Sequence, residues 1–390
     1  MSQSVFLIAG EASGDSLGAA LMAQLKTLNS EVTFHGIGGP KMIAEGLESL
    51  FPMDELSVMG LTEVLPRLPG LLRRARETVE AVAEAAPAAL ITIDSPDFCL
   101  RVAKRAKAAS PELRTIHYVA PTVWAWRPGR AAKMAGFIDH VLALFPFEPP
   151  LMQKAGMGCD FVGHPIVSEP VATAPEIAAF RADHHLGEAP ILLVLPGSRA
   201  GEVNRLAPIF GDVVRKVLSQ APGARVVVPA APAVAGRVAE LLSAWAGAPV
   251  ILDPRELSPE GFAQAKRAAF AAADVALAAS GTVSLELAAA DTAMVIAYDL
   301  APLSRLLIGA MLKVDTVTLV NLVSDTRAVP EFLGRACKPA PISQAVLDLL
   351  RDPAAREPQY EAMEQTLQRL GQGGEAPGLR AAKAVLGVLS

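Results

Sequence analysis

The stretch VFLIAGEASGD, residues 5–15, carries an unbroken apolar run into a turn made from Gly10, Glu11, Ser13, Gly14 and Asp15. An apolar run without alternation suits a strand buried on both faces, and glycine beyond it lets the backbone turn tightly. Residues 17–27 then read as a helix. Strand, turn and helix in that order are the opening step of a parallel α/β sheet.

The rhythm repeats along the chain. TFHGIGG (33–39), ALITID (89–94), RTIHYV (114–119), HVLALF (140–145) and DFVGHP (160–165) read as further strands. Near residue 166 the sequence becomes richer in proline and polar residues, a linker with a short helix. The strands then resume as PILLVLPGSR, ARVVVPA, PVILD, DVALAASG and AMVIAYDL. The expected fold is α/β, with two doubly wound, Rossmann-like domains at 1–165 and 166–350 facing a cleft. A helical tail, 351–390, is expected to pack back on the first domain. A chain of 390 residues is long for one core and ample for two.

Apolar residues make up 52% and charged residues 19% of the chain, and the net charge is −5. That balance argues against a broad nucleic-acid footprint. Cys99, Cys159 and Cys337 lie far apart with no CxxC or Cys/His spacing, so neither a structural zinc nor any other metal site is expected. The opening MSQSVFLIAGEASGD lacks a positively charged start, and its apolar run falls short of the roughly 7–15 residues of a signal-peptide core. No run reaches the roughly 18 apolar residues of a membrane-spanning helix. A cytoplasmic protein, soluble or attached only to a membrane surface, is expected.

Ligands of open α/β sheets bind beyond the carboxyl ends of strands, so the polar residues after each apolar run are the candidates. After the first strand come Glu11, Ser13 and Asp15. Ser13 or Asp15 can cap the next helix, and a capped turn explains this segment as well as ligand contact does. In IDSPDF (93–98), Ser95 fits an N-cap, Pro96 the first helical position and Asp97 the first turn. Asp94 has no such structural explanation. It is an even choice between a loop hydrogen bond and a carboxylate that takes a proton from an attacking hydroxyl. After ILLV, LPGSRAGE (195–202) forms a turn whose amides can hold an anion, and Arg199 adds a planar charged fork beside Ser198. Ser280, Gly281 and Thr282 repeat that logic, and Glu286 lies about a turn into the following helix. The two turns together can hold a diphosphate. Neither GxGxxG nor GxxxxGK[ST] is present. His117, His140 and His164 are read first as structural residues, and Trp124 and Trp126 of WAWRPGR (124–130) as core.

SVMGLTEVLPRLPGLLRRARE (57–77) is unusual. Val64, Leu65, Leu68, Leu71 and Leu72 share one helical face, with Arg67, Arg73, Arg74 and Arg76 beside them. Pro66 and Pro69 predict a short or broken helix. The face suits core packing or contact with a bilayer carrying anionic head groups. APLSRLLIGAMLKV (301–314) is a second such stretch, with core packing the simpler reading.

Taken in order, IAGEASGD, GIGGPKM, VMGLTEVL, IDSPDF, IHYVAPTVWAWRPGR, FVGHP, LVLPGSRAGEV, AASGTVSLE and NLVSDTRAVPE (321–331) resemble the lipid-A-disaccharide synthase family from residue 5 to about 335. The resemblance implies a GT-B fold and an inverting transfer that needs no cofactor. UDP-2,3-diacylglucosamine would be the donor and 2,3-diacylglucosamine 1-phosphate (lipid X) the acceptor, with lipid A disaccharide 1-phosphate and UDP as products. The reaction would run at the cytoplasmic face of the inner membrane. By motif, Asp94 would be the general base and Glu11 and Asp15 would help place the acceptor. Ser198, Arg199, Ser280, Gly281 and Thr282 would hold the diphosphate, and Glu286 the ribose. Asn321, Arg327 and Glu331 match the late motif without an assigned role. Cys99 stands where the family often has Asn, which weakens any functional claim at that position but not at Asp94. Two rivals remain at this level: another GT-B enzyme, such as a UDP-N-acetylglucosamine 2-epimerase, and a non-enzymatic nucleotide-sensing or membrane-docking protein. The oligomeric state is open.

Overall fold

In the computed structural model, the structure describes residues 4–56, 61–124, 129–299 and 314–390, with side chains in all of these except 61–67. The chain divides into two compact units, Met1–Ser168 with Gly373–Ser390, and Glu169–Gln372.

The first unit is a seven-stranded sheet in the order β3-β2-β1-β4-β5-β6-β7, with every described pairing parallel. Its strands are β1 (Ser4–Ala9), β2 (Thr33–Ile37), β3 (Glu48–Ser49), β4 (Ala89–Ile93), β5 (Arg114–Tyr118), β6 (His140–Ala143) and β7 (Gly158–Phe161). The helices between them are α1 (Ala12–Leu28), α2 (Pro40–Ala44), α3 (Leu61–Ala85), α4 (Pro96–Ala109), α5 (Gly129–Met134) and α6 (Pro149–Lys154). Central β1 and β4 are buried almost throughout, which is why they read as continuous apolar runs. Toward the edge, β2 is partly exposed and carries polar residues to match.

The second unit has a six-stranded parallel sheet ordered β10-β9-β8-β11-β12-β13. Its elements are α7 (Ala174–Asp183), β8 (Ile191–Leu195), α8 (Ala200–Gln220), β9 (Arg225–Pro229), α9 (Ala235–Leu242) and β10 (Val250–Leu252). They continue as α10 (Pro259–Ala272), β11 (Val275–Ala278), α11 (Val283–Ala289), β12 (Met294–Tyr298), α12 (Leu319–Ser324) and β13 (Glu331–Leu333). Helices α13 (Pro339–Arg351) and α14 (Glu357–Arg369) complete it.

The helical tail separates between the units. Helix α14 packs on α12 and α11, and its Thr366 hydroxyl donates to the Val320 carbonyl at 3.2 Å. The last helix, α15 (Pro377–Leu389), lies along α1 in the first unit, so closely that a side chain at Gly378 would stand 3.1 Å from the Ala20 carbonyl.

Several local expectations need correction. Helix α3 continues through Pro66 and Pro69 as one element of 25 residues. Each proline removes one backbone bond near the amino end. The longer remainder is anchored by buried Ala75, Thr78 and Val82 and by packing on α4. Neither Ser13 nor Asp15 caps α1, because the helix starts at Ala12 with Glu11 at its N-cap. Ser95 holds the N-cap position of α4, yet its side chain makes no capping bond. Edge strands β3 and β13 are too short for periodicity to reveal.

Candidate functional site

In each sheet the winding direction reverses once, and there a crevice opens at the carboxyl ends of two neighbouring strands. In the first unit the reversal falls between β1 and β4, and in the second between β8 and β11.

At the first crevice the β1 turn, Gly10–Glu11, meets the β4 turn, Asp94–Ser95. The approach is close: a Cβ on Gly10 would stand 2.5 Å from Ser95 Oγ and 2.9 Å from Ser95 Cβ. The β4 turn is strained. Asp94 (φ 48°) and Ser95 (φ 40°) are both left-handed, and so is β-branched Val119 (φ 79°) just beyond β5. Such residues cost on the order of 1–3 kcal/mol each and collect where function requires the geometry. Backbone bonds hold the turn in place: Asp94 N–H donates to the Tyr118 carbonyl at 2.9 Å, and Val119 N–H to Leu142 at 3.0 Å. The Asp94 carboxylate is half-buried and has no hydrogen-bond or ion-pair partner among the described residues. Neighbouring Asp97 is fully exposed and pairs with Arg130 at 3.3 Å. Cys99 is buried against the Ile8 and Ile93 carbonyls, and burial pushes its thiol far up, so it is a core residue.

At the second crevice Ala279 N–H donates to the Leu195 carbonyl at 2.8 Å, which ties the ends of β8 and β11 together. The turns Pro196–Arg199 and Ser280–Thr282 are therefore neighbours. Ser198, Arg199, Gly281 and Thr282 are exposed, and Ser280 is half-buried. Gly197 has φ 115°, where L side chains are strained, and a Cβ there would stand 2.7 Å from Glu202 Cβ. Glu202 fills that space. Its carboxylate accepts from Ser198 N–H at 3.2 Å and from the Tyr298 hydroxyl at 3.1 Å, and lies 3.5 Å from Arg199. Glu286 is half-buried, paired with Lys266 of α10 at 2.5 Å.

Three other candidates have partners in the backbone. Asp15 is buried, and its carboxylate accepts from the amides of Gly39, Lys41 and Met42 at 2.9–3.0 Å, anchoring the start of α2. Asn321 is buried and exchanges two 2.9 Å bonds with the Val329 backbone. Glu331 accepts from Val317 and Thr318 N–H at 3.1 and 2.5 Å, at the start of α12. Arg327 is exposed and pairs with Asp315 at 2.5 Å. Glu11 is half-buried and Ser13 exposed at the first crevice.

On α3, Leu68 is 37% exposed, whereas Leu71 and Leu72 are half-buried. The side chains of Val64, Leu65 and Arg67 lie outside the described residues, as do Trp126 and residues 301–313 of the second basic stretch. No helix among the described residues is long and apolar enough to cross a membrane. Among the same residues no three His, Cys, Asp or Glu side chains gather as a metal site requires.

The family described as Lipid-A-disaccharide synthetase matches residues 5–383. The lipid-A-disaccharide synthase of Ruegeria pomeroyi is 61% identical over 382 residues, covering 98% of this chain and 94% of its own. The chain belongs to the lipid-A-disaccharide synthase family. It is an enzyme, a glycosyltransferase of lipid A biosynthesis. Among solved structures, UDP-GlcNAc 2-epimerase from Neisseria meningitidis bound to UDP-GlcNAc aligns with a TM-score of 0.61 at 11% identity, covering 99% of each chain. Anabaena Alr3699/HepE in complex with UDP and glucose gives 0.56 at 13% identity, covering 100% of this chain and 99% of its own. These likenesses concern the fold, which is GT-B.

Within this family member, local sequence reading missed a buried polar knot beyond β5 and β6. Glu148 is 2% exposed, accepts from Trp124 Nε1 at 3.3 Å and Phe145 N–H at 3.0 Å, and is pushed up to about 8 by burial. Trp124 meets Phe147 edge-on at 5.4 Å, and His164 lies 5.5 Å from the Phe145 ring. Burial lowers His164 to about 4. It also lowers His117 to about 4, helped by nearby Arg130, and His117 Nδ1 shares a 2.8 Å bond with Thr92. His117 and His164 are thus buried imidazoles held neutral. Nothing local marked Glu148, because Trp124, its side-chain partner, comes from another loop.

Proposed function

We propose that this enzyme joins UDP-2,3-diacylglucosamine to 2,3-diacylglucosamine 1-phosphate (lipid X), giving the β(1→6)-linked lipid A disaccharide 1-phosphate and UDP. Asp94 is the general base. Its carboxylate takes the proton of the acceptor 6-hydroxyl as that oxygen attacks the anomeric carbon, and the bond to UDP breaks on the opposite face with inversion. The observation that carries this reading is the strained Asp94 at the switch point of the first sheet, its carboxylate without a hydrogen-bond or ion-pair partner among the described residues. Glu11 and Ser13 lie on the same crevice and contact the acceptor.

The UDP diphosphate belongs at the second crevice. Amides of the Ser280-Gly281-Thr282 turn and the exposed Ser198 hydroxyl donate to its oxygens, and Arg199 stabilises the negative charge that grows as UDP departs. Glu286, already oriented by Lys266, takes the ribose hydroxyls. The Val64, Leu65, Leu68, Leu71 and Leu72 face of α3 meets the cytoplasmic surface of the inner membrane, with Arg67, Arg73 and Arg76 on anionic head groups.

The test is incubation with both lipid sugars in detergent, followed by mass spectrometry. Disaccharide and UDP should appear together, and their absence with folded protein would overturn the reading. Asp94→Asn should keep UDP affinity and lose at least 100-fold in kcat, in line with general-base contributions of about 10²–10⁴. Near-normal turnover would remove Asp94 from this role.

A further inference from the structure

Beside the first crevice the sheet edge carries a groove with no role in the chemistry above. Its volume is about 670 Å³, and Ile43, Leu47, Leu50, Phe51 and Met53 are the large apolar side chains of its wall. Two of these are unusually open for large apolar side chains, Ile43 at 51% and Leu50 at 39%. Exposed apolar clusters of this kind mark binding surfaces.

The groove runs inward to the candidate site. Its inner wall includes Gly38 and Gly39, directly beyond β2, and the Met53 methyl lies over Gly39. The segment that carries Phe51 and Met53 continues to Leu56, whose Cβ is 3.6 Å from where a Cβ of Gly10 would stand. Ser95, the residue after Asp94, touches that same point. Arg74 of α3 lies 4.4 Å over the Phe51 ring and pairs with Glu55 at 2.6 Å, which fixes the outer wall.

Charge is distributed along the groove. Glu48 and Asp54 sit on the outer rim. Next to the inner end, Lys41 is exposed, its Nζ donates to Ser16 Oγ at 2.8 Å, and it forms no ion pair among the described residues. The Asp15 carboxylate beneath it is directed to backbone amides. An apolar groove flanked by the ammonium of Lys41, the neighbour of its lining residue Pro40, complements an acyl chain attached to an anionic head.

We propose that this groove holds an acyl chain of the acceptor and that Lys41 receives the acceptor's phosphate. The proposal rests on the acceptor reading above. It adds the place where chain length is sensed.

Ile43→Asp, Leu50→Asp and Lys41→Met alter exposed side chains, and circular dichroism checks their folding. Steady-state transfer is compared for long-acyl and short-acyl 2,3-diacylglucosamine 1-phosphate. Ile43→Asp and Leu50→Asp should raise KM for the long-acyl acceptor about tenfold and for the short-acyl one less than twofold. Lys41→Met should raise both. KM for the UDP-sugar should not change. Equal effects on both acceptors from the aspartate variants, or none, overturn the proposal. So does loss of binding to anionic phospholipid vesicles with acceptor KM intact, which assigns the groove to the bilayer. Equilibrium binding of fluorescent long-acyl 2,3-diacylglucosamine 1-phosphate separates the two readings. If wild type binds it and the groove variants do not, the groove stands even where no transfer is seen. If all bind alike, the groove fails even where transfer is normal.

Discussion

Gly10 lacks a side chain because Ser95 stands where one would go. Gly10→Ala must push the β4 turn, and overpacking of this kind costs about 1–3 kcal/mol. We expect a lower denaturant midpoint and a fall in kcat larger than the stability loss explains, since Asp94 adjoins the displaced residue. An unchanged kcat would mean that the turn adapts without moving Asp94. Asp15 behaves differently. Asp15→Asn should lower stability by about 1–3 kcal/mol, because an amide nitrogen replaces one acceptor of a buried backbone amide. Ser13→Ala should change stability by less than about 0.5 kcal/mol, as surface substitutions usually do. Urea titrations of the two variants decide between these roles. The place of Asp94, just beyond β4 and before α4, was legible in the sequence because it follows an apolar run and precedes a helix start. The employment of Asp15 was not, since Gly39, Lys41 and Met42 lie far along the chain. Asn321 and Glu331 have nearer partners, Val329 and Val317–Thr318, but these are backbone groups of irregular segments that no periodicity marks.

Elements inherit pH dependence from the groups they bury. Folded Glu148, at about 8, keeps a proton that the unfolded chain releases near its ordinary value of 4.5, so stability falls as pH rises through that window. His117 and His164 act in the opposite sense. Folding holds them neutral down to about 4, so their contribution is complete above 6.5 and is lost as pH falls toward 4. From pH 6.5 to 8 the Glu148 slope stands alone among these groups and amounts to roughly 1–2 kcal/mol. Glu148→Gln should flatten it, and urea midpoints at both pH values read the result. An equal slope in the variant would sink this assignment. Helix α3 makes a separate prediction. Leu68→Ser should reduce vesicle binding while leaving the thermal midpoint unchanged, whereas a clear loss of stability would mark Leu68 as core. The central strands were readable because burial on both faces writes itself as continuous apolar sequence. The course of α3 was not, because its packing on α4 outweighs the local preference of Pro66 and Pro69.

The whole molecule is two parallel sheets with a ligand-ready reversal in each, and that much follows from strand order. Binding of UDP to the second unit should stabilise it by mass action, about 2.7 kcal/mol at a hundredfold excess over Kd. Arg199→Ala should reduce the calorimetric shift at fixed UDP, and an undiminished shift would place the diphosphate elsewhere. Removing residues 373–390 should destabilise the first unit, because buried Ala381, Ala382 and Val385 leave it, while UDP binding persists. Equal loss of both units would show that they unfold as one. The sequence suggested a tail returning to the first unit, and only the contacts of α14 and α15 reveal where it divides.

That division orders events on the ribosome. The second unit is an insertion within the first, since residues 169–372 lie between its two parts. At roughly 5–20 residues per second, the interval between Ser168 and the emergence of α15 is on the order of tens of seconds. Throughout it the nascent first unit carries an uncovered face of α1, and the second unit is complete before α15 arrives to cover that face. The part of the molecule synthesised first is therefore the last to close.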